Sequence, residues 1–301
     1  MAIFVSMKHS FKDWAAATRF WSFPVSAMPV IVTTAFLFWK AYDINWLCVL
    51  LALVGNVMFH AAGNVLSDWW DYRRGVDNEN AYAIPQLVFH QFEPGEYLRF
   101  SGILFATAAC IGLILTFMAG WELLIIGIAG AILAASYSFF KFRAMGDIFV
   151  FVCFGILPVI GTSLVAAGFI DWTALAISIP LGIFTIGVLH DNNTVDINTD
   201  RAAGIRTLPM LLGERTSVKI FIAYMIIPFV AVTAGCITGY LPYMALVSLL
   251  AVPAALGNIR KAYGYFSEGI EAMKGLDQKT AQLHLIFSLL LTAGLFLAAL
   301  I

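Results

Sequence analysis

Two segments of this 301-residue chain place carboxylates and carboxamides where a long apolar run gives out. The first reads Gly63-Asn64-Val65-Leu66-Ser67-Asp68-Trp69-Trp70-Asp71-Tyr72-Arg73-Arg74-Gly75. The second reads His190-Asp191-Asn192-Asn193-Thr194-Val195-Asp196-Ile197-Asn198-Thr199-Asp200-Arg201-Ala202-Ala203-Gly204. Each carries Asn-x-x-x-Asp, then a second Asp, then Gly four residues after it, and Asn192 follows Asn64 by 128 positions. On a helix, Asn64, Asp68 and Asp71 fall at i, i+4 and i+7 and share one face. Asn192 and Asp196 stand at i and i+4, with Asp200 one turn further. Two such faces set against each other predict four carboxylates and two amides in one place. Like charges gathered so closely repel. A hard divalent cation such as Mg²⁺ relieves the repulsion, prefers carboxylate oxygens, and is commonly bound together with phosphate. Histidine and cysteine are scarce nearby, which argues against zinc.

Cations lie close to these acids in the sequence. Tyr137-Ser138-Phe139-Phe140-Lys141-Phe142-Arg143 ends an apolar run, and Arg201 and Arg206 follow the second acidic segment. A metal with Lys and Arg beside it is the usual electrostatic clamp for a diphosphate. Aromatic residues make up 14% of the chain and could stabilise a carbocation by their ring faces, although most rings at this frequency pack or face lipid. Simpler readings stand beside these: the acids as solvated helix ends, and Lys141 and Arg143 as topology signals. Against the first, an acid near the membrane core costs about 2.5–3.5 kcal/mol on insertion scales, and here the pattern occurs twice.

The elements that must position these residues are membrane helices. The chain is 61% hydrophobic and 12% charged, with a mean hydropathy of +0.89. Soluble domains are about 45–50% apolar and about 25% charged. Apolar runs occur at 20–39, 46–66, 99–119, 122–140, 147–169, 171–191, 217–238, 241–258 and 281–301. Each is near the length that crosses a bilayer as a helix. Period-2 alternation is absent, which disfavours a β-barrel. The expectation is an all-α integral membrane protein, one domain over 1–301, with nine transmembrane helices around a central cavity opening to the cytoplasm. Of the 17 Lys and Arg residues, all but Lys40 fall on one side of this arrangement. The positive-inside rule puts that side, and the N-terminus, in the cytoplasm, with the C-terminus outside. The acidic segments follow runs two and six, so a four-helix unit reads as repeated, a pseudo-symmetry that places a site between repeats. The long polar loops lie on the cytoplasmic side and direct function there. The N-terminus does not read as a signal peptide. The net charge of −1 gives no basic surplus for nucleic acid, and the four cysteines lie in apolar runs without CxxC spacing.

These residues resemble the UbiA superfamily of intramembrane prenyltransferases, over nearly the whole chain. Asp68 and Asp71 match the acidic positions of its first motif, with Ser67 where Asn is usual. Asp196 and Asp200 match the second motif, and Tyr137 and Lys141 match a Y-x-x-x-K element. Within the superfamily the likeness is to the 1,4-dihydroxy-2-naphthoate polyprenyltransferases of menaquinone biosynthesis. It is carried by Gly75-Val76-Asp77, by Gly146-Asp147-Ile148-Phe149-Val150-Phe151 with Gly161-Thr162, by Asn192-Asn193 with Arg206-Thr207-Leu208, and by Thr280-Ala281-Gln282-Leu283-His284-Leu285-Ile286-Phe287. Val195 stands where that branch usually has Arg, Tyr82–Gln86 replaces a Gly-Pro-Arg-like stretch, and Asp191 is an additional acid. The resemblance implies Mg²⁺-dependent transfer of a polyprenyl group from its diphosphate to an aromatic acceptor. In that reading Asn64, Asp68, Asp71, Asn192, Asp196 and Asp200 hold metal. Tyr137, Lys141, Arg143, Arg201 and Arg206 bind the diphosphate, and His190 and Asp191 lie on the acceptor side. The acceptor is expected to be dihydroxynaphthoate, with 4-hydroxybenzoate as an alternative. A cation-coupled transporter and a phospholipid-type phosphotransferase are the rival classes. The acids at helix ends rather than mid-span disfavour the first, and the missing glycine-spaced motif disfavours the second.

Overall fold

The structure, a computed structural model, describes residues 9–75, 86–141, 143–202 and 204–301, without the side chains of residues 135, 137–139 and 141. Tyr137, Lys141, Val76-Asp77 and Tyr82–Pro85 of the sequence reading therefore lie wholly or in their side chains outside the described residues. Among the described residues every regular element is helical. In chain order these are α1 (Phe11–Ala17), α2 (Pro24–Trp39), α3 (Trp46–Arg73), α4 (Pro94–Ala119), α5 (Glu122–Lys141), α6 (Gly146–Phe151), α7 (Leu157–Ala167), α8 (Leu175–Val195), α9 (Ile197–Ala202), α10 (Leu208–Leu212), α11 (Glu214–Ile237), α12 (Val252–Tyr263), α13 (Tyr265–Glu268) and α14 (Leu276–Ala299).

Eight helical stretches among the described residues are long and apolar enough to cross a membrane: Phe20–Trp39, Trp46–Arg73, Pro94–Ala119, Gly146–Ala167, Trp172–Val195, Glu214–Ile237, Tyr243–Met273 and Leu276–Ala299. A further apolar stretch, Glu122–Ala134 in α5, is shorter. The chain is thus an all-α, multi-pass integral membrane protein, and the nine apolar runs meet eight full-length spans and one shorter stretch. The helices outlast the apolar runs at the ends that matter. Run two loses its apolar character at 66, yet α3 continues to Arg73 and carries Asp68 and Asp71 on the helix itself. Run six ends at 191, yet α8 continues to Val195. Hydropathy marks where lipid contact stops, whereas backbone hydrogen bonding continues until a cap or a glycine ends it; here Gly75 follows α3 with φ +70.

Local chemistry fixes several ends. Asn45 caps α3 by accepting the Cys48 N–H at 3.1 Å. Pro158, which has no N–H, stands just inside α7, and the turn before it, Val152–Ile156, is wound as a π-helix. That turn sits against α8 at very short range. A Cβ on Gly155 would lie 3.3 Å from Gly182 Cα and 3.3 Å from the Ser178 carbonyl oxygen. The core lies where α2, α8, α11 and α14 meet. There Phe184, Phe229 and Phe287 pack edge to face, their ring centroids 5.1, 5.3 and 6.0 Å apart.

One end of the bundle is closed by polar contacts. The Asn45 N–H donates to the Ala166 carbonyl at 2.8 Å. Tyr42 Oη donates to Asp171 Oδ2 at 3.3 Å, and Lys40 Nζ lies 3.9 Å from the same oxygen. Asp171 Oδ1 accepts from the Thr173 N–H and hydroxyl at 2.8 and 2.6 Å. Burial pushes the Asp171 carboxyl up, but the Thr173 donors, Lys40 and Tyr42 outweigh it and hold the group below its ordinary value. These contacts join the α2–α3 connection and the start of α3 to the end of α7 and the segment that opens α8, so the other ends of α3 and α8, with both acidic segments, lie at the opposite end of the bundle.

Candidate functional site

The first acidic segment is turned toward the N-terminal arm. Arg19 follows α1 in a left-handed conformation (φ +54), uncommon for a residue with a side chain. This turn aims its guanidinium at α3, where Arg19 Nη2 donates to Asp68 Oδ1 at 2.5 Å. Asp68 is buried, 4% exposed, and the pairing offsets the cost of holding a carboxylate there. One turn earlier, Asn64 Nδ2 donates to the Thr18 carbonyl at 2.9 Å and to Ser22 Oγ at 3.3 Å. Asp71, one turn later, is half-buried. Beyond it, Arg73 and Arg74 lie over the rings of Trp69 and Trp70, at 5.5 and 5.1 Å from the centroids. Arg19 therefore stands at the candidate site as well as among the topology cations. The signal it offered was a lone charge inside the otherwise uncharged stretch Trp14-Ala15-Ala16-Ala17-Thr18-Arg19-Phe20-Trp21.

The second acidic segment does not form one continuous helix face. Asp196 is the C-cap of α8, and Asp200 sits on the separate short helix α9. Asn192 and Asp196 keep their one-turn relation through the Asp196 N–H, which donates to the Asn192 carbonyl at 2.9 Å. Asp196 is half-buried and accepts from Thr199 Oγ1 at 3.4 Å, and Asp200 is buried. Asn192 Oδ1 is buried with no partner among the described residues. The Ala144 N–H donates to the Arg206 carbonyl at 2.8 Å, which ties the loop after α5 to the loop after α9. Arg143 and Arg206 are exposed on these loops, and Arg201 is exposed on the last turn of α9.

The spacing predicts four carboxylates in direct contact, and the structure does not form that cluster. Among the described residues no three His, Cys, Asp or Glu side chains are gathered as a metal-binding group. Helices α2 and α7 each pack on both α3 and α8, so the two segments share an end of the bundle without merging. The physical reason is the repulsion itself: bare carboxylates do not converge, and Asp68 takes a guanidinium instead. The six candidate ligands nevertheless offer side-chain oxygens, the donor chemistry of a hard cation, and the unpartnered Asn192 Oδ1 is one of them.

His190 and Asp191 are not placed for an acceptor to touch. Both are fully buried. His190 Nδ1 lies 3.2 Å from Asp147 Oδ2 and its Nε2 lies 3.1 Å from the Ser217 carbonyl. Asp191 Oδ2 accepts the Asp277 N–H at 2.7 Å. These contacts belong to helix packing, whereas the resemblance implies an acceptor-side position for both residues.

Comparison with known proteins finds the same fold. A UbiA homolog from Aeropyrum pernix K1 in its apo form superposes with a TM-score of 0.68 at 18% identity, over 91% of this chain and 97% of that one. A UbiA homolog from Archaeoglobus fulgidus, solved bound to GPP and Mg²⁺, gives 0.67 at 15% identity, over 96% and 100%. In sequence, UbiA prenyltransferase domain-containing protein 1 of Xenopus tropicalis is 30% identical over 97% of this chain and 84% of its own length. The profile of the UbiA prenyltransferase family matches residues 26–268, a stretch that holds both acidic segments and the helices that carry them, and the chain belongs to that family.

Proposed function

We propose that this protein transfers a polyprenyl group from an allylic diphosphate to an aromatic acceptor, with Mg²⁺, at the end of the bundle where both acidic segments lie. The observation that supports this best is the pair of Asn-x-x-x-Asp segments at the ends of two spanning helices, one of them charge-paired to Arg19. Asn64, Asp68, Asp71, Asn192, Asp196 and Asp200 would hold the metal. When bound, Mg²⁺ supplies charge neutralisation for a leaving diphosphate. Arg143 and Arg206 stand on the loops at this end and Arg201 on the last turn of α9, where their charges favour an anion, and Tyr137 and Lys141 belong to the last turns of α5. Arg19 balances the charge of Asp68. The apolar helix surfaces take the isoprenoid tail. Ring faces near the site favour an allylic cation over water, and the attacking aromatic ring then loses a proton or its carboxylate.

The acceptor proposed is 1,4-dihydroxy-2-naphthoate, on the branch likeness set out above. Val195 favours a second reading. It is half-buried against the apolar core, where the branch usually offers Arg, so the positive potential that would welcome an acceptor carboxylate is lower. A neutral phenol then gains ground, with 4-hydroxybenzoate as a further anionic candidate. The proposed setting is a cytoplasmic membrane crossed nine times, with the site and the N-terminus on the cytoplasmic side and the C-terminus outside.

The test is diphosphate release and product mass from purified protein given geranylgeranyl diphosphate, Mg²⁺ and each acceptor in turn, repeated with Asp68→Asn, Asp196→Asn and Val195→Arg. Turnover with at least one acceptor is expected, lost by about 100-fold or more in each Asp→Asn variant. Near-normal rates in both variants would remove the duplicated site. Efficient use of dihydroxynaphthoate with no gain from Val195→Arg would make Val195 silent. Release of no diphosphate with any acceptor would leave the transporter class.

A further inference from the structure

Three polar contacts of His190 and Asp191 link neighbouring residues of one helix to three other elements. His190 faces Asp147 at the start of α6 and the Ser217 carbonyl in the first turns of α11. Asp191 faces the first turn of α14 through the Asp277 N–H. Gly275, the N-cap of α14, has no side chain to satisfy that turn, so Asp191 caps the helix from a different element. Its accepting oxygen therefore lies at the N-terminal end of α14. On the His190 side, Nε2 faces the Ser217 carbonyl, which can only accept, so the ring donates there, while Nδ1 faces Asp147 Oδ2. Thr194 Oγ1 closes the same turn by donating to the His190 carbonyl at 2.6 Å. Tyr224 of α11 packs edge-on against the imidazole, with ring centroids 5.4 Å apart. Asp191 stands one residue before Asn192 and about one turn before Asp196.

We propose that His190 and Asp191 are positioning residues that fix the last turn of α8 against α6, α11 and α14, and thereby set where Asn192 and Asp196 present their oxygens. The inference rests on the reading that the second acidic segment holds Mg²⁺ and diphosphate. Its physical content is rotational. A helix held by packing alone can roll by small angles, and one fixed from two adjacent residues in different directions cannot. A roll of α8 moves Asn192 Oδ1 and Asp196 together, so a loosened clamp weakens binding of a metal–diphosphate pair without removing any ligand.

The test is direct binding of a non-reactive geranyl thiodiphosphate to the full chain in detergent, titrated with and without Mg²⁺. The variants are His190→Gln, which keeps reach to Ser217 but leaves Asp147, Asp191→Ser, which is too short to reach Asp277, and Asp191→Asn, which retains the accepting oxygen. Monodispersity on size exclusion accompanies each titration. His190→Gln and Asp191→Ser are expected to weaken the Mg²⁺-dependent part of binding by about 10-fold or more, equivalent to one decade in the constant, while Asp191→Asn stays within about 3-fold of the parent. If Asp191→Ser does not fold, His190→Gln carries the same expectation alone. Parent-like Mg²⁺ dependence in the clamp variants, alongside its loss in Asp196→Asn, would overturn the proposal while leaving the metal reading intact. Equal damage in Asp191→Asn and Asp191→Ser would also overturn it, because charge rather than the cap would then be the cause. Parent-like binding in Asp196→Asn would instead reject the metal reading on which the proposal rests.

Discussion

Asp171 is the clearest case of a single side chain tuned by its neighbours. Two donors from Thr173 with Lys40 and Tyr42 hold its carboxyl below the ordinary value against the opposing effect of burial. A group depressed on folding contributes stability that is present above its unfolded value, about 3.9. That contribution disappears as pH falls through the lower, folded value. Thermal unfolding followed in detergent should therefore show the parent losing stability more steeply than Asp171→Asn between about pH 5 and about pH 3. Equal slopes would remove Asp171 from the acid limb. The same logic of paired charge governs Asp68, but there the partner was not legible in advance. Arg19 precedes it by 49 positions with no periodic relation, and reaches it only because a non-glycine residue takes a positive φ. The acids themselves were legible, because i, i+4 and i+7 spacing is a property of one helix. His190 was legible as unusual and not as a partner of Asp147, 43 positions away. Pairings across helices leave no mark in a single sequence.

Helices were legible wherever lipid contact dictates composition, and less so where polar residues continue the same hydrogen-bonded ladder. That is why α3 runs on to Arg73 and α8 to Val195, and why the break at Asp196, which divides the second acidic segment between α8 and α9, was missed. Close approach between elements was equally silent. Gly294 of α14 lies so near the 3₁₀ segment Tyr243–Ala251 that an added Cβ would fall inside contact distance of the Met244 carbonyl oxygen. The obstacle is backbone, which cannot swing aside as a side chain can. Gly294→Ala should therefore destabilise by about 1–3 kcal/mol, read as a lowered melting temperature in detergent. The same change at Gly112, which has no atom within 4 Å of its Cβ position, should leave melting near the parent value.

Across the whole molecule, the alternation of cations implies one orientation, and it can be read directly. With Cys48, Cys110, Cys153 and Cys236 replaced, the single changes Arg74→Cys, Ala202→Cys and Gly275→Cys should react with an impermeant maleimide only from the cytoplasmic side. Labelling of any one from outside would break the proposed topology. The length of α3 has a further consequence. At 28 residues it extends about 42 Å, against hydrocarbon about 30 Å thick. Trp46, 54% exposed at its first position, suits an interfacial anchor there. Asp68 and Asp71 then emerge on the far side at headgroup depth, and Trp172 and Asp196 repeat the relation across a similar length. On the proposed function the donor is a diphosphate on an isoprenoid tail, which floats at that depth, so it would arrive by sliding within the leaflet and need not leave it. The quantity that drives the rate is then the donor's mole fraction in the bilayer. Diluting a fixed amount of donor with inert phospholipid should slow turnover even though its concentration in the tube is unchanged, the kinetics of an enzyme working in two dimensions.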